Sequence, residues 1–150
     1  MDYGTKAAEL FLDGYNCAQA VAVAFSDVTG LDEALSARMA SAFGGGMGRM
    51  REVCGAVSGM LMVAGLLYGY DSPEADAHKK ALYGLVQELA GKFREENGSI
   101  ICREILKNPP SDATPSPRTP EYYASRPCAR MVYTAASLLE DYLKENPIER

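Results

Sequence analysis

Residues 53–70, VCGAVSGMLMVAGLLYGY, run for eighteen positions without a charge. That length stands at the lower edge of what spans a bilayer. Gly55, Gly59, Gly65 and Gly69 interrupt the apolar content, and the neighbouring segments are amphipathic. A helix apolar on every side is also the central helix of a bundle, so Val53–Tyr70 is expected to be the most buried element of the fold, with no membrane insertion. The spacing Gly55-x-x-x-Gly59 would let a neighbouring helix approach closely.

Outward from this run the chain reads as helix after helix. Tyr3–Leu12 carries Ala7, Leu10 and Phe11 on one face and ends at Gly14. Asn16–Phe25 is rich in alanine and valine. Asp32–Phe43 follows the stop signal Gly30 and spaces Leu35, Met39 and Phe43 by four. Ser72-Pro73-Glu74 has the capping serine, first-turn proline and acidic residue of a helix start. It predicts a helix from Ser72 to Asn97 with Ala81, Leu82, Leu85, Val86, Leu89 and Phe93 as its core stripe. Ser99–Leu106 reads as a short helix. Asn108–Pro120 holds five prolines and reads as an irregular crossover. The last helix is expected over Ser125–Glu145, burying Val132, Ala135, Leu138, Leu139 and Tyr142. No pair of period-2 runs suggests a sheet. The fold class is all-α: one compact multi-helix bundle over residues 1–150, with a buried central helix and a Pro-rich crossover before the last one.

Composition narrows the function. A net charge of −5 and a pI near 4.9 argue against nucleic acid as a partner, because that binding needs clustered positive charge. Met1-Asp2-Tyr3 lacks the basic and apolar regions of a secretory signal, so a cytoplasmic location is expected. In that reducing compartment cysteines serve catalysis or metal binding more often than structural disulfides.

Four cysteines, Cys17, Cys54, Cys102 and Cys128, each fall at the start of an expected helix. Asn16 is a good N-cap for Cys17. Cys54 opens the apolar run after Gly44-Gly45-Gly46-Met47-Gly48. Ser99 would place Cys102 in a first turn, and Ser125 would do the same for Cys128. A helix N-terminus favours thiolate, and the free-cysteine pKa near 8.5 falls there to roughly 3.5–7.5. The alternative is that the cysteines fill the core as small hydrophobes. No Cys-x-x-Cys occurs, so any joint site is assembled from distant segments.

The loop Phe43–Arg51 admits two uses. Gly45, Gly46, Gly48 and Arg49 could hold an anion at a helix start, although neither the dinucleotide nor the Walker spacing fits. Alternatively, Arg49 and Arg51 could favour a thiolate at Cys54. His78, the only histidine, lies on a polar face. Glu95, Glu96, Glu140 and Asp141 read as solvated, and Ser58 has no histidine partner for hydrolysis.

Gly14-Tyr15-Asn16-Cys17-Ala18-Gln19, Phe43-Gly44-Gly45-Gly46-Met47-Gly48 leading to Cys54-Gly55-Ala56-Val57-Ser58-Gly59, Cys102-Arg103 and Arg126-Pro127-Cys128 together resemble the C_GCAxxG_C_C family. Its members are redox-active proteins named for this cysteine pattern. Some carry selenocysteine at a cysteine position, and related segments occur beside electron-transfer cofactors. One departure is local: Val53 precedes Cys54 where the family name has glycine, and Gly55 separates Cys54 from Ala56. The resemblance makes Cys17, Cys54, Cys102 and Cys128 the functional set.

Two chemistries suit that set. In thiol redox a low-pKa cysteine attacks a disulfide or peroxide and a second resolves the intermediate. Such chemistry needs no cofactor and takes a redox partner protein or a small thiol or disulfide substrate. In the alternative the four thiolates hold an iron–sulfur cluster or zinc for electron transfer. The nucleophile is expected to be Cys54, between the glycines and the arginines, with Cys17 as the nearby resolving partner.

Overall fold

A computed structural model describes residues 1–148. Its helices are α1 (Tyr3–Leu12), α2 (Cys17–Ala24), α3 (Ser26–Thr29), α4 (Glu33–Ala40), α5 (Gly55–Tyr68), α6 (Asp76–Asn97), α7 (Cys102–Ile105), α8 (Pro120–Ser125) and α9 (Cys128–Glu145). No strand forms among the described residues, and the fold is all-α. One isolated antiparallel bridge, Val53 to Ile101, joins the segments that precede α5 and α7.

Helices α1, α2, α5, α6 and α9 contribute to one core. Phe11, Phe25, Met60, Phe93, Met131 and Leu139 are its largest fully buried side chains. Tyr3 stacks on Phe25 with ring centroids 4.2 Å apart. The α2–α5 contact is as close as the glycine spacing predicts. A Cβ on Gly59 would stand 2.7 Å from the Ala18 carbonyl oxygen, and one on Gly55 would stand 3.1 Å from Cys17 Cβ. Each glycine removes the atom that would push α2 away.

The apolar run is shorter as a helix than as a sequence. Fourteen residues rise about 21 Å at 1.5 Å each, well under a bilayer core. No helix among the described residues is long and apolar enough to cross a membrane. Nor is α5 the most buried element. Six of the eight residues of α2 are buried, against seven of fourteen in α5, whose Leu66 stays exposed. Alanine and valine let α2 be surrounded by α1, α4, α5 and α9.

Several helix bounds and two packing faces differ from the sequence reading. Ser72 caps only a turn: its Oγ accepts from Glu74 N–H, Ala75 leaves helical geometry at ψ 59°, and α6 begins at Asp76. Ala81 is exposed, so the α6 core stripe narrows to Leu85, Leu89 and Phe93. Leu35 and Met39 are exposed by 48% and 42%, because α4 packs through Ser36 and Ala40 instead. Finally, the crossover ends in a helix. Thr119 accepts from Tyr122 N–H with Pro120 at the first position of α8, so Ser125 closes that helix and does not open the next.

Candidate functional site

Each of the four cysteines stands at a helix start. Cys17 is the first residue of α2, where Asn16 and Gln19 form a reciprocal capping box. Cys128 opens α9 directly after Pro127, and Cys102 opens α7 after Ile101, so neither Ser125 nor Ser99 is the N-cap. Cys54 is itself the N-cap of α5; its side chain makes no capping hydrogen bond, although the N–H groups of Ala56 and Val57 favour its thiolate. All four line one half-open cavity of about 400 Å³.

The Val53–Ile101 bridge builds one wall. Cys54 N–H donates to the Ile100 carbonyl at 2.7 Å, and Cys102 N–H donates to the Glu52 carbonyl at 2.6 Å. These two bonds fix Cys54 and Cys102 as neighbours across a pair of extended segments. The glycine loop seats them from behind. Gly45, Gly46, Met47, Gly48 and Arg49 follow one another with positive φ, a conformation costing a non-glycine residue roughly 1–2 kcal/mol. At Gly46, φ is 71° and a Cβ would stand 2.7 Å from Cys102 Cβ. Only glycine lets the loop lie this close.

Much of that loop's backbone is engaged within the loop itself. The N–H groups of Met47, Gly48, Arg49, Met50, Arg51 and Glu52 all donate to carbonyls of residues 42–47. Its arginines also face away from Cys54. Arg49 donates to the Thr114 carbonyl and Ser116 Oγ, fastening the crossover. Arg51 is only 5% exposed; its Nε donates to the Pro110 carbonyl at 2.9 Å, and its Nη1 reaches Cys102 Sγ at 3.7 Å. Glu52 pairs with Arg103 at 3.0 Å across the bridge.

The second wall holds Cys17 and Cys128, thiols near enough that each shifts the other's ionisation. That mutual effect is the largest influence on each. With the Cys17 thiol donating to it, and with Arg126, Arg118 and Arg51 nearby, Cys128 falls to about 7 against the pull of burial. Cys17 is held well above its ordinary range by the same hydrogen bond and then by burial. Burial pushes Cys54 up to about 12 despite the two N–H groups that favour its thiolate. Cys102 is also raised by burial, which outweighs Arg51. The expected depression at Cys54 is therefore found at Cys128, because the guanidiniums stand there.

Arg118 and Arg126 carry the part that sequence reading missed. Arg118 donates to the carbonyls of Phe11 and Tyr15 and stacks 4.6 Å over the Phe11 ring, tying the crossover to α1. Arg126 lies 4.8 Å over the Tyr122 ring. Its place two residues before Cys128 was a readable signal; Arg118, amid prolines, gave none. His78 is exposed on α6 and lines no part of this cavity. Among the described residues, no group of three or more His, Cys, Asp or Glu side chains converges to hold a metal ion.

Comparison with known proteins finds one family model that matches residues 15–142, with the description "Putative redox-active protein (C_GCAxxG_C_C)". No curated protein and no solved structure matches the chain.

Proposed function

The chain belongs to the C_GCAxxG_C_C family, and we propose that it serves redox chemistry as a thiol–disulfide protein whose working pair is Cys128 and Cys17. The observation that carries this reading is that Cys17 and Cys128, each the first residue of a long helix, line one arginine-rich cavity near enough to shift each other's ionisation. A nucleophilic cysteine needs thiolate and access, and its partner must stay protonated until its turn.

The steps follow from that arrangement. Cys128 thiolate attacks one sulfur of an incoming disulfide, and the substrate S–S bond breaks. The departing thiolate takes the proton held by Cys17. Cys17 sulfur then attacks Cys128 Sγ, expels the second substrate thiolate and closes a Cys17–Cys128 disulfide. Two electrons pass from the protein pair to the substrate. Cys54 and Cys102, protonated at neutral pH, supply no attacking sulfur.

A second reading has its own support, since four sulfur donors and four guanidiniums line one cavity. This donor set suits an iron–sulfur cluster, whose negative charge the arginines would balance, with Cys17, Cys54, Cys102 and Cys128 as ligands. A bound cluster would supply one-electron transfer. A single zinc ion fits less well, because no three ligating side chains converge on one point among the described residues.

The test is mild oxidation of the reduced, metal-free chain by an excess of a small disulfide, followed by mass-spectrometric mapping. A Cys17–Cys128 disulfide formed in the folded protein is the expected result. A Cys54–Cys102 link, or no intramolecular link at all, overturns the assignment. Anaerobic purification of a brown protein with stoichiometric iron and sulfide would replace it with the cluster reading.

A further inference from the structure

The cavity wall is cationic on a chain of net charge −5. Arg49, Arg51, Arg118 and Arg126 all line it, and no aspartate, glutamate or lysine does. None of the four pairs with a carboxylate among the described residues, whose salt bridges involve Lys92, Arg103 and Lys144. Arg49 Nε is buried without a hydrogen-bond partner. Arg126 rests on an aromatic face. Guanidiniums gathered around a half-enclosed apolar space, none of them in a salt bridge and only Arg49 with a carboxylate, Asp112, acting on it from nearby, form a site for a negatively charged ligand.

Size limits that ligand. A cavity of about 400 Å³ falls in the range of small-molecule sites, and a protein surface loop would not enter it beyond a side chain or two. Resting on the thiol–disulfide reading above, we infer that the substrate is a low-molecular-weight disulfide carrying carboxylate groups, one of which Arg126 holds while Cys128 attacks its sulfur. Arg126 is favoured because it stands near Cys128 and its guanidinium makes no hydrogen bond among the described residues, whereas Arg118 is engaged by two carbonyls and Arg49 and Arg51 by the crossover. The reaction is the exchange already written: the carboxylate-bearing disulfide leaves as two thiols, and the protein retains the Cys17–Cys128 disulfide.

Three probes of equal chain length separate charge from chemistry. Dithiodipropionate is dianionic, bis(2-hydroxyethyl) disulfide is neutral and cystamine is dicationic at neutral pH. Each is mixed with the reduced, metal-free protein, and its rate is normalised to its rate with free mercaptoethanol. The dianion is expected to react at least about tenfold faster than the neutral probe, and the dication slowest, with the preference shrinking as salt is raised. Arg126→Gln should cut the dianion-to-neutral ratio by about threefold or more, a ratio in which any change of thiolate fraction cancels. Should that variant fold poorly, the salt dependence of the unmodified protein tests the same preference. Equal normalised rates for the three probes overturn the anionic class while leaving the cysteine pair standing. Failure of every probe to close the Cys17–Cys128 disulfide overturns the pair, and this inference with it.

Discussion

Cys54 and Cys128 both stand where a helix begins and both border the same cavity, yet their thiols move in opposite directions. Cys128 falls to about 7 while Cys54 rises to about 12. Cys54 even has two N–H groups of its helix favouring its thiolate. What it lacks is charge: Arg49 and Arg51 turn to the crossover and to Cys102, whereas Arg126, Arg118 and Arg51 act on Cys128 together with the Cys17 thiol. A helix terminus contributes at most about 2 kcal/mol, and removing a thiolate from water at a buried site exceeds that. The decisive difference between the two walls is where the guanidiniums sit.

The contrast is most easily broken by alkylation. With iodoacetamide at pH 7, the reduced chain should lose Cys128 at least about 100-fold faster than Cys54, because the thiolate is the reacting form. Cys54→Ser should leave the fast phase intact, and Cys128→Ser should remove it. Peptide mapping of the labelled protein reads both outcomes. Labelling of Cys54 ahead of Cys128 would return the nucleophile to the α5 wall.

Gly46→Ala sharpens the comparison by damaging one wall only. The new Cβ would meet Cys102 Cβ and the Glu52 nitrogen at 2.7 Å, in a backbone with φ of 71°. Overpacking and left-handed strain together should cost about 2–4 kcal/mol, read as a shift of the urea midpoint. The pH midpoint of Cys128 alkylation should move little. Cys17, Arg118 and Arg126 are on other segments, and Arg51, whose Cα the new Cβ would meet at 2.8 Å, is the weakest of the named influences on Cys128. A large move of the midpoint would mean that the two walls are coupled.

Much of the fold was readable because periodicity and composition report burial directly. The bounds Tyr3–Leu12 agree with α1, and the Gly55-x-x-x-Gly59 contact follows from residue size. Local signatures were less faithful. Ser72-Pro73-Glu74 and Thr119-Pro120-Glu121 carry the same helix-start pattern, yet only the second opens a helix at its proline. At Ser72 the side chain closes a turn, and Ala75 then departs from helical geometry before α6 begins. The four cysteines could be picked out from the sequence, but their division into walls could not. It depends on the Val53–Ile101 bridge and on where Arg51 and Arg118 reach, contacts spanning 48 to 107 positions. Leu35 and Met39 show the same limit: apolar spacing of four fits a helix face, but α4 turns that face outward.

The smallest effect is a pH dependence of stability whose rising limb comes from Cys128 and whose falling limb comes in part from Cys54. The ordinary cysteine value lies between about 8.5 and 9. Between about pH 7 and 9, Cys128 is a thiolate in the folded chain and a thiol in the unfolded one, so unfolding takes up a proton. Stability should rise with pH across that window, by at most about 1.4 kcal/mol per unit, and this contribution is lost as pH falls through 7. Above 9 the sign reverses. Cys54 stays a thiol when folded, up to about 12, and ionises when unfolded, so unfolding releases a proton and stability falls. Cys17 and Cys102 are raised as well and act in the same direction. Urea midpoints measured under reducing conditions at half-unit steps should therefore peak near pH 9. Cys128→Ala should flatten the rising limb, whereas Cys54→Ala should leave the rising limb and make the falling one shallower without abolishing it, since Cys17 and Cys102 still contribute. A rising limb that survives in Cys128→Ala would place the low-pKa thiol elsewhere and remove the electrostatic distinction between the walls.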